Sequence, residues 1–240
     1  MTARHLDDVM AALRGAGKPG TAAIYRRHGV EGEALGVAYA ELDKLARRIG
    51  ADPVLATALW ESGVHEARVL ATRAADPDGM ERGALEAWLA ATSDYPTNDA
   101  VSALAARRAD AAALAEAWIV RDDVWGRCAG WNVVAALALA GRLPEGRARA
   151  WLERIRRDIG RAPNRVRHAM NNALIAIGGA LADARDQALA VAAAIGKVEV
   201  DHGETGCKTP DAASYIRKMA ARAAAKSPAK VAKARARRVD

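Results

Sequence analysis

The stretch of sequence that decides the fold is Leu59-Trp60-Glu61-Ser62-Gly63-Val64-His65-Glu66-Ala67-Arg68-Val69-Leu70-Ala71. Gly63 separates two helical patterns, because glycine readily ends one helix before a polar cluster starts the next. Apolar residues of the second pattern recur at i, i+3, i+4 and i+7, namely Ala67, Leu70, Ala71 and Ala74. A different face of that helix carries His65, Arg68 and Thr72. The stretch therefore predicts a joint between paired helices of a repeat protein, with one face packed and another open to a ligand.

Composition favours helices packed on helices. Apolar residues make up 51% of the 240-residue chain, yet aromatic residues make up only 4% and there is no Phe. Most of the apolar residues are therefore Ala, Leu and Val, and their small side chains let helices approach closely. No segment shows the two-residue alternation of a half-buried strand, so the sequence predicts an all-α protein.

Glycine, proline and aspartate interrupt the helical patterns at short intervals and divide the chain into paired helices. The second helices of successive pairs are expected to open near Arg68, Asp99, Arg127 and Arg167, at spacings of 31, 28 and 40 residues. Helical-pair repeats are roughly 30 to 47 residues long. The spacing therefore predicts a solenoid, and charges that open several second helices would converge on its concave surface.

The positive charge is concentrated near the end of the sequence. The chain has a net charge of +7 and a pI near 9.7. Residues 222–240 hold seven basic residues against one acidic residue, which leaves +1 for the other 221 residues. We therefore expect a single helical-repeat domain at residues 1–222 and a basic, flexible tail at 223–240. The tail could add salt-dependent affinity for phosphate or simply increase solubility.

Other features of the sequence point to a cytoplasmic protein that has no membrane partner. No run of 18 or more apolar residues occurs, and the first residues lack the apolar core of a signal peptide. Cys128 and Cys207 form neither a disulfide framework nor a Cys-x-x-Cys metal motif, so both are expected to be reduced. We expect neither a cofactor nor a bound metal, and we expect a monomer.

The stretch 59–71 resembles the helix-turn-helix of the DNA alkylation repair family, the AlkD-like DNA glycosylases built from HEAT-like repeats. The resemblance covers about residues 30–220. It implies an all-α, HEAT-like solenoid (an α-α superhelix) with a concave basic face, and duplex DNA, alkylated or branched, as its partner.

Tyr95 and Asp99 are the catalytic candidates. The family's pocket pairs a Trp with an Asp at this spacing, and Tyr95 stands where the family has the Trp. An alkylated base is cationic, so an aromatic face can stabilise it while a carboxylate supports the developing sugar cation or a water. The residues alone also allow a structural interpretation, in which Asp99 favours a helix dipole after Thr97 and Tyr95 packs in a core.

The resemblance also suggests residues that would contact DNA. In the family, a Trp at the next helix opening is followed by an Arg that holds a backbone phosphate, and Trp125 and Arg127 match these positions. Strict alignment on Trp125 would instead place Cys128 at the arginine. Asn172 stands where the family has its second pocket Trp, and an amide has no aromatic face. The remaining DNA-binding candidates are Arg68, Arg165, Arg167 and His168.

The segment 197–210 is the least ordinary loop of the chain. Its Asp201, His202, Glu204 and Cys207 have side chains of metal-ligand type, but their spacing matches no closed four-ligand site. The glycines favour an ordered turn. The loop is similar to a C-terminal stretch in a subgroup of the same family.

Three functions are compatible with these patterns. The resemblance implies a DNA-binding protein that releases N3- or N7-alkylated purines. The alternative is a non-catalytic binder of damaged or branched DNA, because phosphate-binding side chains remain where the pocket departs from the family. A protein-interaction scaffold is the third, and in that case deletion of residues 223–240 would abolish any DNA affinity.

Overall fold

A computed structural model describes residues 2–144 and 146–236, with side chains at 5–144 and 146–225. These residues form thirteen α-helices and a short 3-10 turn at Ile159–Arg161, with no β-strand, and this confirms the all-α prediction. Within the same ranges no helix combines the length and the apolar character needed to cross a bilayer. The helices are α1 Thr2–Ala16, α2 Pro19–Arg27, α3 Tyr39–Ile49, α4 Pro53–Glu61, α5 His65–Ala74, α6 Arg82–Ala90, α7 Tyr95–Arg107, α8 Ala111–Trp118, α9 Val124–Leu139, α10 Arg147–Asp158, α11 Asn164–Ala180, α12 Arg185–Ile195 and α13 Ala212–Ala236.

The chain divides into two compact units. Unit 1 comprises Met1–Val133 with Asp201–Cys207, and unit 2 comprises Val134–Val200 with Lys208–Asp240. The single domain at residues 1–222 stays a prediction. Helix α13 includes the first part of the expected tail, whereas residues 237–240 and the side chains beyond 225 lie outside the described part of the chain. The flexibility of residues 223–240 therefore also stays a prediction.

The predicted joint lies between α4 and α5, which pack against each other. Asp52 caps α4 by accepting a hydrogen bond from the backbone N–H of Leu55 at 2.9 Å. Gly63 follows with φ of +74°, in the left-handed region that favours glycine. Helix α5 then begins at His65. The structure confirms that the stretch 59–71 is a turn between paired helices.

The predicted apolar stripe of α5 is fully buried, but the face expected to meet a ligand is largely covered. His65 and Thr72 are only 3% and 4% exposed, and Glu66 is completely buried. The physical reason is that α3 and α7 pack against α5 on the sides that α4 leaves open. The prediction of an open polar face was wrong for His65, and Arg68 stays half-buried.

The second helices begin three or four residues earlier than expected. They start at His65, Tyr95, Val124 and Asn164, at spacings of 30, 29 and 40 residues. For α7 the reason is Asp94, whose side chain accepts a hydrogen bond from the backbone N–H of Thr97 at 2.7 Å and so caps the helix before Tyr95. Asp99 is therefore the fifth residue of α7 and lies beyond its first turn.

Glu66 fixes the segment that leads into α3. Its carboxylate accepts backbone N–H groups from Leu35 at 2.9 Å, Gly36 at 2.6 Å and Val37 at 3.1 Å. Gly36 has φ of +83°, and a Cβ there would collide with the carbonyl of Lys18. The segment can therefore pass close to α2 only because this residue is glycine.

Replacing Glu66 with Gln should lower the free energy of unfolding by about 2 kcal/mol, because the amide NH2 would face a backbone N–H in a buried site. Urea unfolding of the variant and wild type measures the difference. Glu61→Gln, at an exposed position of α4, is the matched control and should stay within about 0.5 kcal/mol of wild type. Equal stability of Glu66→Gln and Glu61→Gln would contradict this assignment.

Candidate functional site

Tyr95 and Asp99 line one cavity of about 690 Å³ in unit 1. They stand four residues apart in α7, so their side chains share a face of that helix. Helices α2, α3 and α5 supply other parts of the wall. Among those wall residues are Tyr25, His28, Tyr39, Thr72, Arg73 and Arg107, the last from α7.

The cavity wall is unusually aromatic for this chain. Three of the four tyrosines, Tyr25, Tyr39 and Tyr95, line it in a protein that has no Phe. The ring centroids of Tyr25 and Tyr39 are 5.7 Å apart, and those of His28 and Tyr95 are 5.5 Å apart. The Tyr25 hydroxyl donates a hydrogen bond to the carbonyl of Val37 at 2.6 Å. Such a wall offers several π faces to a flat ligand.

Charged side chains at the cavity are held by defined contacts. Asp99 accepts a hydrogen bond from the amide Nδ2 of Asn132 on α9 at 2.8 Å. Arg73 pairs with Asp43 at 3.0 Å and lies over the Tyr39 ring, 5.6 Å from its centroid. Arg107 donates to the Thr72 carbonyl at 2.6 Å. The cavity therefore presents one carboxylate, positioned by an amide, beside two guanidinium groups.

The hydroxyls of Tyr25 and Tyr39 stay protonated well above neutral pH. Burial raises the pKa of Tyr25, and the nearby charge of Glu66 raises it further, while Arg73 lowers it. Burial also raises the pKa of Tyr39, with contributions from Tyr25 and Asp99, although its 39% exposure lets solvent weaken these effects. At neutral pH both phenols are hydrogen-bond donors.

His65 forms the support behind Tyr25. Its ring centroid is 4.9 Å from that of Tyr25, and its Nδ1 is 3.3 Å from the hydroxyl of Thr97. Burial lowers the pKa of His65, against the opposite effects of Asp94 and Glu66. Its buried Nε2 has no hydrogen-bond partner among the described residues, which disfavours a proton there. The imidazole is therefore neutral at pH 7.

Lowering the pH from 7 to about 5 should destabilise the folded protein, because His65 takes up a proton less readily in the folded state than in the unfolded chain. Because the folded-state pKa lies below the ordinary value of 6.5, the unfolded chain takes up the proton first as the pH falls. The stabilisation is present above pH 6.5 and is lost as the pH falls towards the folded-state pKa. Melting temperatures measured between pH 7 and about pH 5 should fall less in His65→Gln than in wild type. An unchanged slope in the variant would contradict this.

Three further predicted residues lie in unit 1 but are not among the residues that line the cavity. Arg68 lies over the ring of Trp60 at 5.1 Å and donates from Nε to the Trp60 carbonyl at 3.4 Å, which favours a packing role. Trp125 and Arg127 occupy the start of α9, and both are half-buried. The carbonyl of Trp125 accepts a hydrogen bond from the Asn98 amide at 3.0 Å. Their contacts with DNA stay predictions.

Four predicted residues lie on α11 in unit 2, and all four are half-buried: Arg165, Arg167, His168 and Asn172. The two terminal nitrogens of Arg167 donate to the carbonyls of Glu199 and Ala162, each at 3.1 Å. The Nδ2 of Asn172 is 3.1 Å from Nε2 of His168. Arg167 therefore anchors backbone, and phosphate binding by Arg165 stays a prediction.

Formal charge is divided very unevenly between the two units. Unit 2 has 21 Lys and Arg against 8 Asp and Glu, a net charge of +13. Unit 1 has 15 against 21, a net charge of −6. Residues 222–240 account for only +6 of the positive excess, so the rest of unit 2 carries +7. Sequence reasoning missed this because it summed the acidic and basic units together.

Sequence reasoning also missed most of the cavity wall, in particular Tyr25, His28, Tyr39, Arg73 and Arg107. These residues come from different helices, and no spacing along the chain links them. One signal in the sequence could have found part of the wall. The chain has four tyrosines and no Phe, and three of those tyrosines line the cavity.

Comparison with known proteins supports the resemblance found in the sequence. Residues 9–226 match the family described as DNA alkylation repair enzyme. Uncharacterized proteins of Listeria innocua and Listeria monocytogenes are each 30% identical over 224 residues, covering 91% of this chain and 97% of theirs. A solved structure matches with a TM-score of 0.84 and 26% identity, covering 91% of this chain and 94% of the other. It is described as a new family of proteins related to the HEAT-like repeat DNA glycosylases with affinity for branched DNA structures. The fold is therefore HEAT-like.

Proposed function

Because the chain belongs to the DNA alkylation repair enzyme family, we propose that it binds DNA and prefers branched DNA to a linear duplex. The observation that carries DNA binding is the net charge of +13 in unit 2. Lysine and arginine that neutralise phosphates release counterions, and this release supplies most of the sequence-independent affinity. Unit 2 is therefore the part of the protein that holds the DNA backbone.

Two observations support a preference for branched DNA. The matching solved structure is described as having affinity for branched DNA structures. The tyrosine cavity of unit 1 offers aromatic faces and phenol donors, and its volume is in the range of small-molecule sites. Bases at a branch point can leave the stack at low cost, and aromatic side chains bind unstacked bases without regard to sequence.

The affinity for DNA should fall steeply with salt and depend on unit 2. Arg165→Gln should weaken binding to branched and linear DNA alike and lower the magnitude of the salt slope by about one. Arg48→Gln, an exposed arginine of α3 in unit 1, is the matched control and should leave both quantities unchanged. Titrations by fluorescence anisotropy at several salt concentrations measure them.

The same titrations test each part of the proposal. A dissociation constant insensitive to salt would contradict phosphate binding by unit 2. Equal affinity for a four-way junction and a linear duplex of the same length would contradict the preference for branched DNA while leaving DNA binding in place.

Base excision is the second candidate function, favoured by the shared position of Tyr95 and Asp99 in the cavity. An N3- or N7-alkylated purine carries a positive charge, which the Tyr95 ring can stabilise. As the bond between base and sugar breaks, the base leaves neutral and positive charge develops on the sugar. The Asp99 carboxylate, positioned by Asn132, would stabilise that charge until a water adds to the sugar carbon.

If the protein excises bases, Asp99→Asn should reduce release of methylated purines from alkylated duplex DNA by at least about 100-fold, with little change in DNA affinity. Asp122→Asn, at an exposed position in unit 1, is the matched control and should keep wild-type release. Chromatography of the released bases gives the rates. Equal release by Asp99→Asn and wild type would exclude this role, and binding without release by the wild type would leave recognition of branched DNA as the function.

A further inference from the structure

The loop Asp201–Cys207 belongs to unit 1, and its own hydrogen bonds order it. The backbone N–H of Gly203 donates to Asp201 Oδ1 at 2.8 Å, and Gly203 has φ of +61°. Thr205 Oγ1 donates to the carbonyl of His202 at 2.9 Å and accepts the backbone N–H of Cys207 at 3.3 Å. These bonds confirm the predicted glycine turn, and they fix the backbone on which Cys207 sits.

Cys207 lies beside a histidine from a distant part of the sequence. Its Sγ is 3.7 Å from Nε2 of His28, which stands at the C-terminus of α2. The other ring nitrogen, Nδ1, is 2.9 Å from the carbonyl oxygen of Ile24. A carbonyl can only accept a hydrogen bond, so Nδ1 carries the proton and Nε2 presents its lone pair to the thiol. A thiol next to a correctly oriented base is the usual arrangement of an activated cysteine.

The pair is placed where a ligand can reach it. His28 lines the tyrosine cavity, where its ring packs against Tyr95. Cys207 is exposed, whereas the other cysteine, Cys128, is 4% exposed within α9. Neither the DNA-binding proposal nor the excision chemistry uses His28 or Cys207. The chain therefore has one accessible thiol, and a base and an aromatic cavity adjoin it.

We propose that Cys207 and His28 form a reactive thiol–imidazole pair that accepts an alkyl group from a carbon electrophile. The thiol proton passes to Nε2 of His28, and the thiolate attacks the electrophilic carbon. The sulfur–carbon bond forms as the bond from that carbon to its leaving group breaks. The leaving group departs with the electron pair, and the proton on His28 passes to water. The product is an S-alkylated Cys207, and no group is oxidised or reduced.

Iodoacetamide labelling of the full chain at pH 7 tests the pair directly. An ordinary thiol is only a few per cent thiolate at this pH, so activation by His28 can raise the rate by about tenfold or more. Mass spectrometry should locate one rapidly added carbamidomethyl group on Cys207, and Cys207→Ser should remove it. A wild-type rate constant no higher than that of N-acetylcysteine would overturn the proposal without reference to any variant.

His28→Asn is the sharper variant, because the Asn amide can still donate to the Ile24 carbonyl while the base at the position of Nε2 is lost. It should reduce the labelling rate of Cys207 by about tenfold, to that of an ordinary exposed thiol. Circular dichroism checks that the variant is folded, and His28→Gln serves if it is not. Wild-type rates in a folded variant would overturn the assignment of His28.

Two methyl sources then distinguish where the alkyl group comes from. Methyl methanesulfonate supplies it as a free reagent, and duplex DNA methylated beforehand and freed of reagent supplies it from a base. Methylation of Cys207 only by the first would identify a scavenger of free electrophiles, and methylation by the second would identify transfer from DNA. No methylation by either would overturn the role as an alkyl acceptor. Loss of DNA binding would not affect the first arm, so this proposal and the proposed function can fail separately.

Discussion

The buried carboxylate of Glu66 is the interaction on which the cavity depends. A charge removed from water costs several kcal/mol unless donors surround it, and three consecutive backbone N–H groups at residues 35–37 do so here. The same contacts hold the segment between α2 and α3 against α5. Val37 then accepts the hydroxyl of Tyr25, which fixes one ring of the cavity wall. The position of the aromatic wall thus follows from the hydrogen bonds of one buried side chain.

This arrangement explains why the polar start of α5 is buried. Residues 65 and 66 would suggest a ligand-facing surface in an isolated helix, but α3, α4 and α7 all pack against α5. The polar groups therefore serve the framework, with Glu66 binding backbone and a neutral His65 packing behind Tyr25. Of the predicted polar face, only Thr72 reaches the cavity wall. Helix α7 supplies the largest share of the cavity wall, and α2, α3 and α5 supply other parts.

Local patterns predicted what depends on neighbours in sequence. The turn at Gly63 and the all-α class follow from spacing and from glycine's conformational freedom. The cavity wall could not be predicted in the same way, because Tyr25, Tyr39 and Tyr95 meet only after three helices pack. The start of α7 was misplaced because the side chain of Asp94 caps the helix, so that α7 begins at Tyr95, four residues before the position expected for its opening. Pairings such as that of Cys207 with His28, 179 residues apart, leave no trace in local periodicity.

Under the proposed function, the uneven division of charge would separate two parts of DNA binding. A net charge of −6 on unit 1 repels the phosphate backbone, while +13 on unit 2 attracts it. An aromatic cavity in an acidic unit suits a base more than a phosphate, since stacking and phenol hydrogen bonds do not require positive charge. Under the proposed function, backbone affinity and base recognition would therefore vary independently. If the protein binds DNA as proposed, a change in the cavity would alter which DNA is preferred, whereas a change in unit 2 would alter how tightly all DNA is held.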